Sequence, residues 1–314
     1  MKIFGIVLTI ALTAAATILA QMPADIAAQL RQIGPVVDPA ATAAIYRPLQ
    51  SKAPYRGVTV TRDLSYGADA RQIMDIFAPA AAVAAPSPVA PAVAVAPAVA
   101  VAPAALPPIA VPRPVLIFVS GAGNKVEPIA AGDAFYDNIM LWAVSSGMTA
   151  VNMQRLTGAG REPDDPARDV GRVVDWVQKN ITRYGGDPDR VFIWAHSAGN
   201  LPVGAYIGNA QAHTKKGHGL KGVVLMSATS AVVPAAVIAA LAKAEIPVFV
   251  GAGEIDVPDA ITFADVLKDG LCRAGTCPTT TIFKDHSHMS AVFSANTADQ
   301  SVTGPILEWM RTVK

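Results

Sequence analysis

The 314-residue sequence predicts an α/β fold with a mostly parallel central sheet of about eight strands and helices on both faces. Short, fully apolar runs recur at 115–119, 149–153, 191–195, 222–226 and 247–250, with a weaker one at 279–283, and runs without polar alternation suit strands covered on both sides. Helix-period stretches fill the gaps. Two alternating segments, 57–63 and 72–77, flank a Tyr66-Gly67 turn and read as an antiparallel pair opening the same sheet.

The elements follow in order. A short amphipathic helix is expected at 24–32, and the opening pair comes after it. Beyond the strand at 115–119, helices are expected at 133–146, 166–184, 198–211, 234–244, 258–267 and 302–313, each between two strands or after the last. Val170, Val173, Val174 and Val177 fall at helical spacing opposite Arg172 and Lys179, an ordinary amphipathic face.

Two apolar segments lie outside this scheme. Residues 1–20 have the layout of a secretory signal peptide: Lys2 ahead of an apolar run from Ile3 to Leu19, then Ala20. No later segment reads as a spanning helix, so residues 21–314 are expected to form one soluble domain, secreted or periplasmic, and membrane-anchored only if the leader is kept. Residues 78–114 are nearly all Ala, Val and Pro and hold ten of the 25 prolines, which read as an extended insert at a surface corner. Cys272 and Cys277 flank a turn with a glycine, and in an oxidising compartment they are expected to form a disulfide.

Charge excludes some function classes. With 25 Lys and Arg against 24 Asp and Glu, the net charge of +1 supplies no global field for nucleic acid, and no local basic patch stands out. A small-molecule partner is expected, with no cofactor and no metal. Gly121-Ala-Gly123-Asn-Lys125 lacks the spacing of a phosphate loop, and Gly251-Ala-Gly253 has Asp256 where a dinucleotide fingerprint needs a third glycine.

The chemistry-bearing signal is Val191-Phe-Ile-Trp-Ala-His-Ser197-Ala-Gly199-Asn, a buried-type strand running through a serine between small residues into a helix. That is the pattern of a nucleophile elbow with Ala195 in place of its first glycine. The Ala198 amide at the helix start is aimed at an oxyanion formed on a substrate attacked by Ser197. A second donor loop is expected in Ser120-Gly121-Ala122-Gly123, with Ala122 and Gly123 as donors. A serine nucleophile on this topology needs an acid and then a histidine further along the chain. Asp256 is favoured over Glu254 as the acid, because it stands three residues past Gly253 and just ahead of the helix-starting Pro258. His288 is favoured over His286 as the base, and His286 is expected on a loop surface, since residues one apart point to different sides. His196 cannot reach its neighbour's hydroxyl, and His213 and His218 read as solvated.

These residues resemble the α/β-hydrolase superfamily, and within it the carboxylesterase and hormone-sensitive-lipase-like branch. The likeness is carried by Tyr184-Gly-Gly-Asp-Pro-Asp-Arg-Val-Phe-Ile-Trp-Ala-His-Ser-Ala-Gly and by Tyr66-Gly-Ala-Asp-Ala-Arg-Gln-Ile-Met-Asp-Ile-Phe-Ala-Pro79, and it spans about 58–313. Ser120 departs from the histidine usual in the oxyanion loop, and Ala195 from the usual glycine. The resemblance implies serine hydrolysis of carboxylic esters through an acyl-enzyme on Ser197. Amide hydrolysis on the same residues and a non-catalytic binding role on a hydrolase scaffold are the alternatives.

Overall fold

The computed structural model describes residues 21–80, 111–125, 134–157, 165–214 and 217–314. The expected leader and most of the Ala/Val/Pro insert lie outside these residues. The strands are β1 (Val58–Ser65), β2 (Ile73–Pro79), β3 (Arg113–Val119), β4 (Thr149–Met153), β5 (Gly186–His196), β6 (Gly222–Met226), β7 (Val248–Ile255) and β8 (Thr279–Ser287). They form one eight-stranded sheet in the order β1-β2-β4-β3-β5-β6-β7-β8. β2 pairs antiparallel with both β1 and β4, and every other pairing is parallel.

The helices are α1 (Ala24–Ile33), α2 (Pro39–Tyr46), α3 (Asp137–Ser145), α4 (Asp165–Asn180), α5 (Asn200–Gly208), α6 (Ala235–Lys243), α7 (Pro258–Arg273), α8 (Ser290–Phe293) and α9 (Thr303–Thr312). Strand alternation divides the core in two. On β5, Val191, Ile193 and Ala195 face a cluster with α4, α5, α6 and α7, while Phe192 and Trp194 face one with α1, α2, α3, α8 and α9. Both faces of the central strands are dry, which is why they read as unbroken apolar runs.

Several boundaries differ from the sequence reading. The insert is shorter than 78–114: Ala78 and Pro79 still pair with Thr59 and Val58, and Arg113 already pairs with Gly186. Pro114 sits where the β3–β5 register shifts, a place where a missing N–H is tolerated. α7 runs past 267 to Arg273, because Leu271 extends the buried stripe of Ala260, Phe263, Ala264 and Leu267. α2 was not anticipated; Asp38 caps it by accepting from the Ala41 amide at 2.9 Å, and Tyr46 at its end is fully buried. Cys272 and Cys277 are bonded, closing a five-residue step between α7 and β8. Among the described residues, no helix is long and apolar enough to cross a membrane.

Candidate active site

The carboxyl ends of the parallel strands form one rim, and the residues singled out by sequence lie along it. β5 ends at His196, and Ser197 follows at φ +55°, the strained backbone that lifts its side chain off the strand. The tight turn explains its neighbours. A Cβ on Gly199 would stand 2.2 Å from the Val119 carbonyl oxygen, so the elbow closes against β3 only with glycine there. Ala195 is fully buried and accommodated, so the departure from glycine at that position is harmless. Asn200 braces the turn by donating Nδ2 to the carbonyls of Ser197 at 2.7 Å and Met226 at 3.0 Å.

Three side chains distant along the chain meet at Ser197. His288 Nε2 lies 2.8 Å from Ser197 Oγ, and His288 Nδ1 lies 2.7 Å from Asp256 Oδ1. Asp256 is completely buried yet well supplied with donors: Ser227 Oγ gives a 2.6 Å bond to Oδ2 and the Val257 amide a 2.7 Å bond to Oδ1. Burial alone would raise its pKa, but the bonds from His288, Ser227 and Val257 outweigh that and hold the carboxyl below its usual range. Ser227, at the end of β6 with φ +52°, was missed by sequence reasoning, since a serine at a strand end carries no pattern. Glu254 is exposed, accepts from the Asp285 amide at 2.9 Å, and takes no part in this chain of contacts.

His286 is not the surface residue expected of it. β8 continues to Ser287, so the ring enters the interior, fully buried between Ser290 Oγ at 3.1 Å and Ser301 Oγ at 2.7 Å, with Asp299 Oδ2 at 3.4 Å. Burial lowers its pKa to about 4 against the opposing charge of Asp299. His213 and His218 are likewise only partly solvated. His213 Nε2 bonds to the Tyr206 carbonyl at 2.9 Å, and burial lowers the His218 pKa. Among the described residues, no group of three or more His, Cys, Asp or Glu is arranged to hold a metal ion.

The loop after β3 packs directly on the elbow. A Cβ on Gly121 would lie 2.9 Å from Ser197 Cβ and 3.4 Å from the Ala198 amide nitrogen. Ser120 organises the loop internally: its Oγ accepts from the Gly123 amide at 3.1 Å and donates to the Asn124 carbonyl at 2.8 Å. The Gly123 N–H expected to serve as an oxyanion donor is therefore already engaged. Arg155 Nη2 donates to the Gly121 carbonyl at 2.7 Å. A trans peptide points its N–H opposite its C=O, so the Ala122 amide faces away from that guanidinium.

A charge cluster anchors the same segment at Lys125. Lys125 is buried and its ammonium bridges Asp63 and Asp75, the latter at 2.6 Å. Asp75 also accepts from Arg62 at 2.7 Å, and Arg62 continues to Asp137. The Lys125 carbonyl in turn accepts from Asn152 at 2.7 Å.

The model of the Carboxylesterase family matches residues 167–247, which include the elbow. Chlorogenic acid esterase of Aspergillus niger is 31% identical over 101 residues, 30% of this chain and 20% of that protein. Secreted lipase 5 of Gibberella zeae is 39% identical over 56 residues, 18% of this chain and 10% of that protein. The aligned segment thus spans a fifth or less of these relatives. Solved structures extend the likeness to nearly the whole chain. Esterase B of Lactobacillus rhamnosis superposes with a TM-score of 0.59 at 15% identity, covering 92% of this chain and 94% of its own. A thermostable esterase of Pseudomonas putida gives 0.58 at 15%, covering 92% and 97%. At that identity the two structures speak for the fold. The strand order and the carboxylesterase match over the segment bearing Ser197 agree: the chain has the α/β-hydrolase fold and is similar to carboxylesterases over that segment.

Proposed function

We propose that the protein is an exported serine esterase that cleaves carboxylic esters through an acyl-enzyme on Ser197. One observation carries this reading: Ser197 Oγ, the His288 imidazole and the Asp256 carboxylate are joined by consecutive bonds of 2.8 Å and 2.7 Å. In the mechanism they support, His288 Nε2 takes the Ser197 proton as Oγ attacks the ester carbonyl carbon, and the electron pair of the C=O moves to oxygen. Asp256 holds the Nδ1–H tautomer and stabilises the imidazolium that forms. The Ala198 and Ala122 amides supply the oxyanion donors, each contributing on the order of 3 kcal/mol to the transition state; Gly123 drops out because its proton is engaged by Ser120. Collapse expels the alcohol, protonated by His288. Water, activated by the same ring, then releases the carboxylic acid.

Export is supported by the leader-like residues 1–20, by the bonded Cys272 and Cys277, and by secreted proteins among the relatives. The test is labelling by a fluorophosphonate together with turnover of a short-chain nitrophenyl ester, for the wild type and Ser197→Ala. The reading requires an adduct on Ser197 and loss of turnover in the variant. A wild type that neither labels nor turns over would overturn it in favour of a binding role. Cleavage of a formyl amide in preference to a graded series of esters would move it to amide chemistry.

A further inference from the structure

His196 has no part in the chemistry above, yet it touches its most demanding component. Its ring is 1% exposed, and its Nε2 lies 3.0 Å from the backbone carbonyl oxygen of His288, with the two imidazole centroids 4.8 Å apart. A carbonyl only accepts, so Nε2 carries the proton and donates. Nδ1 is buried with no partner and has no solvent from which to take up a second proton. His196 is also covalently joined to Ser197. It thus joins the nucleophile's strand to the backbone of the segment that bears the base through one hydrogen bond.

We infer that His196 is a positioning residue: a neutral Nε2–H tautomer whose hydrogen bond to the His288 carbonyl sets the imidazole of His288 at attack distance from Ser197 Oγ. The inference rests on the esterase reading for its consequences in turnover, while the hydrogen bond itself is independent of any activity. The role demands that the ring stay uncharged, because a second cation beside the base would oppose formation of the His288 imidazolium. Burial, reinforced by the neighbouring His288, lowers the His196 pKa to about 3 against the favourable effects of the His288 carbonyl and Asp256. The ring therefore remains neutral throughout the range in which an imidazole base works.

Asp256 orients the His288 ring through Nδ1, and His196 holds the backbone that carries the ring. His288 follows β8 and precedes α8, a short segment in which Ser290 accepts from the Ser287 amide and bonds to His286, ties made among residues 286–290 themselves. The bond from His196 ties the backbone of that segment to the strand that leads into Ser197, beside the side-chain bond from His288 to Ser197.

Two measurements test the inference. In the wild type, nitrogen NMR of the histidine rings should assign His196 as the neutral Nε2–H form from pH 5 to 8. An Nδ1–H tautomer, or titration near the ordinary imidazole value, would overturn the inference without any variant being made. The second compares His196→Phe, which keeps the ring and loses the donor, with His196→Gln, whose amide nitrogen reaches about as far as Nε2. His196→Phe should lower kcat about 10- to 100-fold at nearly unchanged KM, the scale expected for a misplaced catalytic group. It should also weaken or broaden the downfield His288 Nδ1–H resonance, and His196→Gln should restore most of both. Phe within threefold of wild type with that resonance intact, or Gln as impaired as Phe, would overturn it. Failure of the wild type itself to turn over the ester would instead count against the esterase reading and leave the NMR arm to decide the hydrogen bond.

Discussion

Ser197 is held at φ +55°, a conformation costing roughly 1–3 kcal/mol for a residue with a side chain, and its neighbours exist to keep it there. That requirement is what made the elbow legible: a turn so tight admits only small residues, and the pattern appears in sequence as Ala195, Ala198 and Gly199 around the serine. Asp256 and His288 were legible for a topological reason, each following an apolar run that had to be a strand ending at the same rim. His286 and Ser227 were not legible. The expected divergence of the two histidines does not follow from strand period, since positions i and i+2 share a face; the rings reach different buried partners because β8 ends at Ser287, between them. The Gly121 contact is a packing fact of the same kind, and it supplies a prediction. Gly121→Ala places a methyl 2.9 Å from Ser197 Cβ and beside the Ala198 amide. Because the clash falls on the elbow and not in a core layer, ester turnover should fall at least about 100-fold, while calorimetry should find Tm within a few degrees of wild type. Retained turnover would mean that the loop has room to retreat and does not fix the site.

At the scale of elements, residues 120–125 after β3 depend on a charge cluster instead of an apolar stripe. Lys125 is its keystone, with an ammonium buried between Asp63 and the fully buried Asp75. Removing one member of a buried ion pair costs roughly 3–5 kcal/mol when the other is left uncompensated; Asp75 keeps Arg62 at 2.7 Å, so the loss of Lys125 falls at or below the low end. Lys125→Met keeps the length and loses the charge, so it should lower Tm by roughly 6–12 °C at the low end of that range. It should also impair turnover through the segment from Ser120 to Lys125 that packs on the elbow. Adding Asp75→Asn removes much of the orphaned charge and should recover part of the stability. If Lys125→Met leaves Tm unchanged, the cluster is solvated and the loop is held by Ser120 and Asn152 alone. None of this was visible in sequence, where Asp63, Asp75 and Lys125 are scattered single charges. The same limit hid α2, an Ala-rich stretch whose burial under Tyr46 comes from tertiary packing and not from any amphipathic period. By contrast, β4 and β6 were located to the residue, because each is a five-residue run buried throughout and bounded by turn residues.

Across the whole molecule, the near-balanced charge leaves pH sensitivity to a few buried groups, and their shifts act in one direction. His196 and His286 are held at about 3 and about 4 in the folded chain, below the ordinary imidazole value near 6.5. Between these limits the unfolded chain binds protons that the folded chain refuses, so stability falls as pH falls. Each ring contributes a slope approaching about 1.4 kcal/mol per pH unit once the pH is well below 6.5. The depressed pKa of Asp256 acts with the same sign at lower pH, its stabilisation being present above the unfolded carboxyl value and lost as pH drops through the folded one. The expected profile is a plateau of Tm from pH 7 to 9 and a steady decline from pH 6.5 toward pH 4. His286→Gln, which cannot titrate, should flatten the decline by about half a two-histidine slope. His286 makes no contact with Ser197 or Asp256, so this variant should lower the pH dependence of Tm while leaving ester turnover at pH 8 within about threefold of wild type. A Tm that holds level down to pH 5 in the wild type would mean that water or a partner reaches these imidazoles in solution, and the dry interior assigned to the rim around His288 would have to be redrawn.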